Sequence, residues 1–269
     1  MSGISHMFAR LKEKGECAYV PYVCAGDPSV GFSVELAKAL FAGGADMIEL
    51  GVPFSDPTAD GPVIQEAMLR SLANGFKTEK LFEIMASLRK GGHAQPIVVM
   101  TYFNPVLQYG IEDFLKKMTS NRGDGLLIVD LPPEESSEIE GIARANKVDI
   151  IRLAAPSTSD GRLKTILPGA TGFVYAVAVA GTTGARSELA GGALDLVGRV
   201  RKASNLPVAL GFGISQPEHV AAAVAAGASA VVEGSKIVTL YSQSPGEAGL
   251  KAVREHVRVM KSAAKIAKI

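Results

Sequence analysis

Apolar residues follow two alternating rhythms along the chain. Continuous apolar runs rich in Val, Ile, Leu and Ala occupy residues 18–25, 46–50, 97–102, 125–129, 149–154, 172–179, 208–211 and 230–233. Bounded by Gly, Pro and Asp, they predict strands buried on both faces. Between them the apolar positions fall at helical spacing, beginning with Ile4, Met7, Phe8 and Leu11. This predicts an opening helix over 4–14, then helices over 30–42, 62–73 and 78–90, helical pieces through 105–118, and helices over 134–146, 160–167, 193–203, 216–226 and 245–266, with a short helix at 236–240.

Eight strands alternating with helices, at about 30 residues per unit, predict a parallel sheet covered by helices. The first strand-to-helix turn is Gly26-Asp27-Pro28, without the G-x-G-x-x-G of an open dinucleotide-binding sheet. The fold class expected is therefore α/β, a single (β/α)8 TIM barrel domain over residues 1–269. It carries an extra N-terminal helix and a short phosphate-site helix after the eighth strand.

The chain has 269 residues, 47% of them hydrophobic, a length that suits one barrel. Its 28 basic and 27 acidic residues leave a net charge of +1, so no overall field favours nucleic acid or an anionic membrane, and an anion must be held locally. Cys17 and Cys24 lack a metal-type or disulfide-type spacing and read as reduced core thiols. His6, His93, His219 and His256 are scattered and read as surface or helix-end residues, so no metal is expected. No apolar run reaches membrane-span length and the N-terminus lacks a signal-peptide core, so a cytoplasmic location is expected.

Barrel chemistry gathers at the C-terminal ends of the strands. The second strand places Glu49 near its C-terminal end and opens into a loop holding Pro53, Asp56, Pro57, Asp60, Gly61 and Pro62. A carboxyl set among Ile48 and Leu50 is costly to ionise and takes a raised pKa, which suits it to give and take a proton. The other reading makes Glu49 a strand-end ion-pair residue and Asp56 and Asp60 turn formers. After strands seven and eight, Gly211-Phe212-Gly213-Ile214-Ser215 and Glu233-Gly234-Ser235 supply free backbone N–H groups and a helix N-terminus, together predicting a phosphate site. The long Gly181 to Gly192 loop, with Arg186, reads either as a closing lid or as a surface loop. Tyr22, Met100, Leu127 and Phe212 lie at or near strand ends and either line an apolar chamber or belong to the core.

Tyr19 to Val23 with Gly26-Asp27-Pro28, Glu49 to Pro57 continuing through Ala59-Asp60-Gly61-Pro62, Met100 to Pro105, Asp130-Leu131-Pro132, Thr183-Gly184-Ala185 and Gly211 to Ile214 together resemble the tryptophan synthase alpha chain family, in order and over nearly the whole length. The resemblance implies a lyase that splits indole-3-glycerol phosphate into indole and glyceraldehyde 3-phosphate without a cofactor of its own. It also implies a beta-chain partner that carries PLP, in an alpha2beta2 assembly. Carried over, Glu49 is the acid/base catalyst and Asp60 binds the indole N–H. Tyr22, Met100, Leu127, Tyr175, Thr183 and Phe212 form the indole pocket and its lid. Gly184, Gly213, Gly234 and Ser235 hold phosphate, and the loop bearing Pro53 and Asp56 faces the partner.

The chain departs from the family pattern at Tyr22, Thr58, Val129, Arg152 and Glu233. Glu233 matters most, because an acid aimed at the phosphate would oppose binding. Turned toward the helices it would be harmless, with Arg152 either its counterpart or an outward-reaching side chain. The alternatives to the coupled alpha subunit are a stand-alone indole-releasing lyase, a non-catalytic activator of the beta chain, and a different sugar-phosphate barrel such as an isomerase.

Overall fold

The computed structural model describes residues 2–177, 191–211, 213–244 and 246–265. Eight parallel strands, β1 (Ala18–Cys24), β2 (Ile48–Gly51), β3 (Ile97–Thr101), β4 (Gly125–Ile128), β5 (Asp149–Ala154), β6 (Val174–Val177), β7 (Val208–Gly211) and β8 (Ala230–Glu233), pair in chain order and close into a barrel through β8 and β1. The helices are α1 (Gly3–Lys14), α2 (Val30–Gly43), α3 (Pro62–Ala73), α4 (Thr78–Lys90), α5 (Phe103–Tyr109), α6 (Ile111–Ser120), α7 (Ser137–Ala145), α8 (Asp160–Ile166), α9 (Gly191–Ala203), α10 (Pro217–Ala225), α11 (Ser235–Gln243) and α12 (Glu247–Ala263). The expected barrel, opening helix and short helix after the eighth strand are all present. The helical pieces expected through 105–118 are α5 and α6, divided at Gly110, whose φ of 92° ends the helical path.

Helix starts follow local chemistry. The Ser2, Ser29 and Ser159 hydroxyls accept from backbone N–H groups three residues on, while Pro62 and Pro217 open α3 and α10 where a missing N–H costs nothing. Helix α1 closes the N-terminal end of the barrel. Phe8 packs edge-on against Phe173 at 6.0 Å, and Ile4 lies against Gly125 at the start of β4.

Register decides which residues face the barrel axis. Paired residues point the same way and residues two apart share a face. Tyr22 pairs with Glu49 and Glu49 with Val98, and Tyr175 is linked through Ala209 to Ala230. Tyr22, Glu49, Met100, Tyr175 and Val232 therefore all point inward. Glu233, one residue beyond Val232, points out to the helices. There the Tyr19 hydroxyl donates to it and the His256 ring nitrogen of α12 lies 2.9 and 3.1 Å from its two oxygens. Arg152 is not its counterpart: on β5 it also points outward, pairing with Glu140 and Ser136 of the α7 region.

The histidine expectation needs one correction, at His256, whereas His219 stands in the first turn of α10. His256 is largely covered because Glu233 draws it inward. His219 is buried, and its Nδ1 accepts from the Ser215 N–H at 3.3 Å, bracing the loop after β7. Cys17 and Cys24 are buried free thiols, as expected. Among the described residues no helix is long and apolar enough to cross a membrane.

Candidate active site

At the C-terminal end of the barrel, Tyr22, Glu49, Asp60, Ile64, Met100, Tyr175, Gly213, Ile214, Ser215, Val232, Gly234, Ser235 and Lys236 enclose about 510 Å3, open mouth included. The strand-end acid, the loop acid and both glycine turns therefore share one space.

Glu49 is 3% exposed, and burial first, then the nearby Asp60 charge, pushes its carboxyl up to about 8. No described Lys or Arg pairs with it, which removes the strand-end ion-pair reading. Asp60 is also buried, at 2% exposure, more deeply than a turn former needs to be. Desolvation raises its carboxyl to about 6, and the Tyr102 hydroxyl, donating to Oδ2 at 2.7 Å, holds it from rising further. At neutral pH the two acids thus differ in state: Glu49 is mostly protonated and Asp60 mostly ionised.

The loop is tied down around Asp60. The Tyr102 oxygen accepts from the Ala59 N–H at 3.0 Å, and the Gln65 amide donates to the Asp60 carbonyl at 2.8 Å. Phe54 lies over Tyr102 at 5.2 Å between ring centres. Tyr102 is a site residue that sequence reasoning missed, since a strand-end tyrosine gives no sign of the acid it will meet.

Two tyrosines floor the cavity by lying across glycines of the next strand. A Cβ on Gly51 would meet the Tyr22 hydroxyl at 2.1 Å, and one on Gly211 would meet that of Tyr175 at 2.2 Å. No larger residue at either position admits the ring above it. Met100 contributes to the wall beside them. Leu127, its partner on β4, is buried and inward-facing but does not line the cavity.

The phosphate candidates Gly213, Gly234 and Ser235 meet on one side of the cavity. Gly213 has φ +84°, a left-handed conformation that favours glycine, although an added Cβ would meet nothing within 4 Å. Gly234 precedes α11, and a Cβ there would lie 3.7 Å from that of Tyr22. Tyr22 therefore stands between the phosphate turn and its register partner Glu49. Thr183, Gly184 and Phe212, with most of the 181–192 loop, lie outside the described residues. Of the two partner-facing candidates, Pro53 is buried and Asp56 is exposed.

Ile64, Ile214, Ser215, Val232 and Lys236 also line the cavity and were not singled out from sequence. For Lys236 a signal existed: it directly follows Ser235 in the first turn of the phosphate-site helix. Among the described residues no group of three or more His, Cys, Asp or Glu side chains is placed to hold a metal ion.

Comparison with known proteins agrees with this geometry. The family model for the tryptophan synthase alpha chain matches residues 8–266. The chain is 47% identical over 253 residues to the tryptophan synthase alpha chain of Roseiflexus sp. (strain RS-1), covering 94% of this chain and 97% of that one. Among solved structures, a Mycobacterium tuberculosis tryptophan synthase chain superposes with a TM-score of 0.91 at 33% identity, covering 99% of each chain. A Pyrococcus furiosus tryptophan synthase chain superposes with a TM-score of 0.86 at 38% identity, covering 92% of this chain and 99% of that one. With a family match that runs nearly from end to end, over a barrel whose paired acids and glycine turns meet in one cavity, the chain belongs to the tryptophan synthase alpha chain family.

Proposed function

We propose that the chain cleaves indole-3-glycerol phosphate to indole and glyceraldehyde 3-phosphate, acting as the alpha subunit of a tryptophan synthase. One observation carries the chemistry: two buried carboxyls, only one of them held by a tyrosine hydroxyl, share one cavity with glycine turns suited to a phosphate.

In this reading Glu49 delivers its proton to C3 of the indole ring, making the ring an electron acceptor. The Asp60 carboxylate accepts a hydrogen bond from the ring N–H and stabilises the positive charge that develops there. Glu49, now a carboxylate, takes the proton from the hydroxyl on the adjoining side-chain carbon. The bond from that carbon to C3 then breaks, its electron pair returns to the ring, and the carbon leaves as the aldehyde. Protons balance and Glu49 ends as it began.

Tyr22, Met100 and Tyr175 pack the indole, and Gly213, Gly234 and Ser235 bind the phosphate with backbone N–H groups and a hydroxyl. The resemblance gives Thr183, Gly184 and Phe212 roles in the same pocket, and Leu127 stands beside Met100 on the neighbouring strand. The whole chain acts as one catalytic barrel in the cytoplasm. It uses no cofactor of its own, and PLP belongs to the beta chain. The Pyrococcus furiosus relative is described as an alpha2beta2 complex with mutual activation. A beta chain meeting the exposed Asp56 loop would act on Asp60, four residues away and fixed in the same loop.

Indole release from indole-3-glycerol phosphate by the purified chain, alone and with a beta chain added, tests the reading. Slow release accelerated by the partner supports the coupled subunit. Fast release without acceleration makes the chain an autonomous lyase, and no release in either case removes the proposal in favour of an activator or another sugar-phosphate barrel.

A further inference from the structure

Lys236 is the one cation among the described residues lining the cavity, and it shares that lining with Gly213, Gly234 and Ser235. It is half-buried and forms no ion pair among the described residues. The acid nearest in sequence, Glu233, is turned away toward Tyr19 and His256.

Its position in α11 is electrostatically wrong for the helix alone. The first turn holds no acidic residue, and the positive end of the helix dipole there repels a cation. An ammonium in that place is stabilised only when an anion is shared between it and the free N–H groups of the turn. The cavity has a matching need. The ionised Asp60 gives it negative charge on the side of β2, and that would oppose a dianionic ester entering beside it.

We propose that the Lys236 side chain is a phosphate ligand of this cavity, giving it selectivity for the charged ester over the uncharged indole and glycerol parts. The inference deepens the reading of the cavity as a phosphate-ester site and rests on it. Backbone N–H groups then orient the phosphate, while Lys236 offsets the Asp60 carboxylate and sets how strongly the anion is drawn in.

The test compares the whole chain with Lys236→Met and Lys236→Arg, each first checked for an unchanged unfolding midpoint without ligand. A lost charge-assisted contact should raise KM for indole-3-glycerol phosphate by about tenfold or more in Lys236→Met, and Ki for glycerol 3-phosphate in parallel, with the loss falling on KM rather than kcat. The salt dependence of KM should flatten, and Lys236→Arg should recover most of the affinity. Unchanged KM, Ki and salt dependence in Lys236→Met would overturn the proposal.

Should the wild-type chain release no indole, the proposed function fails separately and the ligand role is read from inorganic phosphate. A phosphate-induced rise in unfolding midpoint that is present in wild type and lost in Lys236→Met supports Lys236. Equal rises in both, or none in wild type, overturn it.

Discussion

The two carboxyls of the cavity take different protonation states from their partners rather than from their residue type. Glu49 has apolar walls and a neighbouring acid, whereas Asp60 has the Tyr102 hydroxyl. The proposed reaction needs Glu49 protonated and Asp60 ionised. The kcat/KM profile should therefore be bell-shaped, falling as pH drops through about 6 and as it rises through about 8. Tyr102→Phe removes the bond that lowers the Asp60 pKa, so the acid limb should move to higher pH while the alkaline limb stays. An acid limb that does not move would assign it to another group, such as the substrate phosphate, whose second ionisation falls at about 6. The sequence showed that Glu49 would be apolar-flanked. It could not show that Asp60 would be buried, because Tyr102 reaches it from 42 residues away.

At the scale of elements, the Asp60 loop and the Gly234 turn are held relative to each other by Asp27, in the turn after β1. Arg70 of α3 donates to its two oxygens at 2.9 and 2.8 Å, and the Tyr241 hydroxyl of α11 donates at 2.6 Å. One buried carboxylate thus joins the helix that follows the Asp60 loop to the helix that opens at the phosphate turn. Arg70→Ala would leave Asp27 buried with Tyr241 alone, and should cost about 3 kcal/mol of stability. It should also raise KM, because α11 loses its tie to α3. Denaturant unfolding and steady-state kinetics read the two effects, and a loss well under about 1 kcal/mol, the range of exposed ion pairs, would contradict this role. The turn itself was legible in sequence as Gly26-Asp27-Pro28, whereas its partners at positions 70 and 241 were not.

For the whole molecule, the active site carries a stability cost with a defined sign. Glu49 titrates near its ordinary value of 4.5 when unfolded and at about 8 when folded, so the native state holds the extra proton between those values. Stability contributed by this group is fully present below about pH 4.5, declines as pH rises, and is lost above about 8. Glu49→Gln should therefore abolish cleavage yet unfold at a higher midpoint than wild type near pH 7, by about 1–3 kcal/mol, with the difference vanishing near pH 4. Unfolding curves across that range check it, and an equal or lower midpoint at pH 7 would show that Glu49 is not held protonated by burial.

The sequence by itself determined the order of strands and helices, the barrel and the positions of its functional loops, because these follow from local periodicity, turn residues and chain length. It also placed Glu49, Gly213, Gly234 and Ser235 at strand ends, where barrel topology makes their meeting in one cavity unavoidable. Only the tertiary structure decided which way the exceptional residues turned. Register sent Glu233 outward to His256 and kept Glu49 inward, although both are acids in apolar strands. A shift of one residue in a strand reverses the facing of every side chain on it, and contacts between distant segments, such as Tyr102 with Asp60 and Arg70 with Asp27, exist only once the barrel has closed.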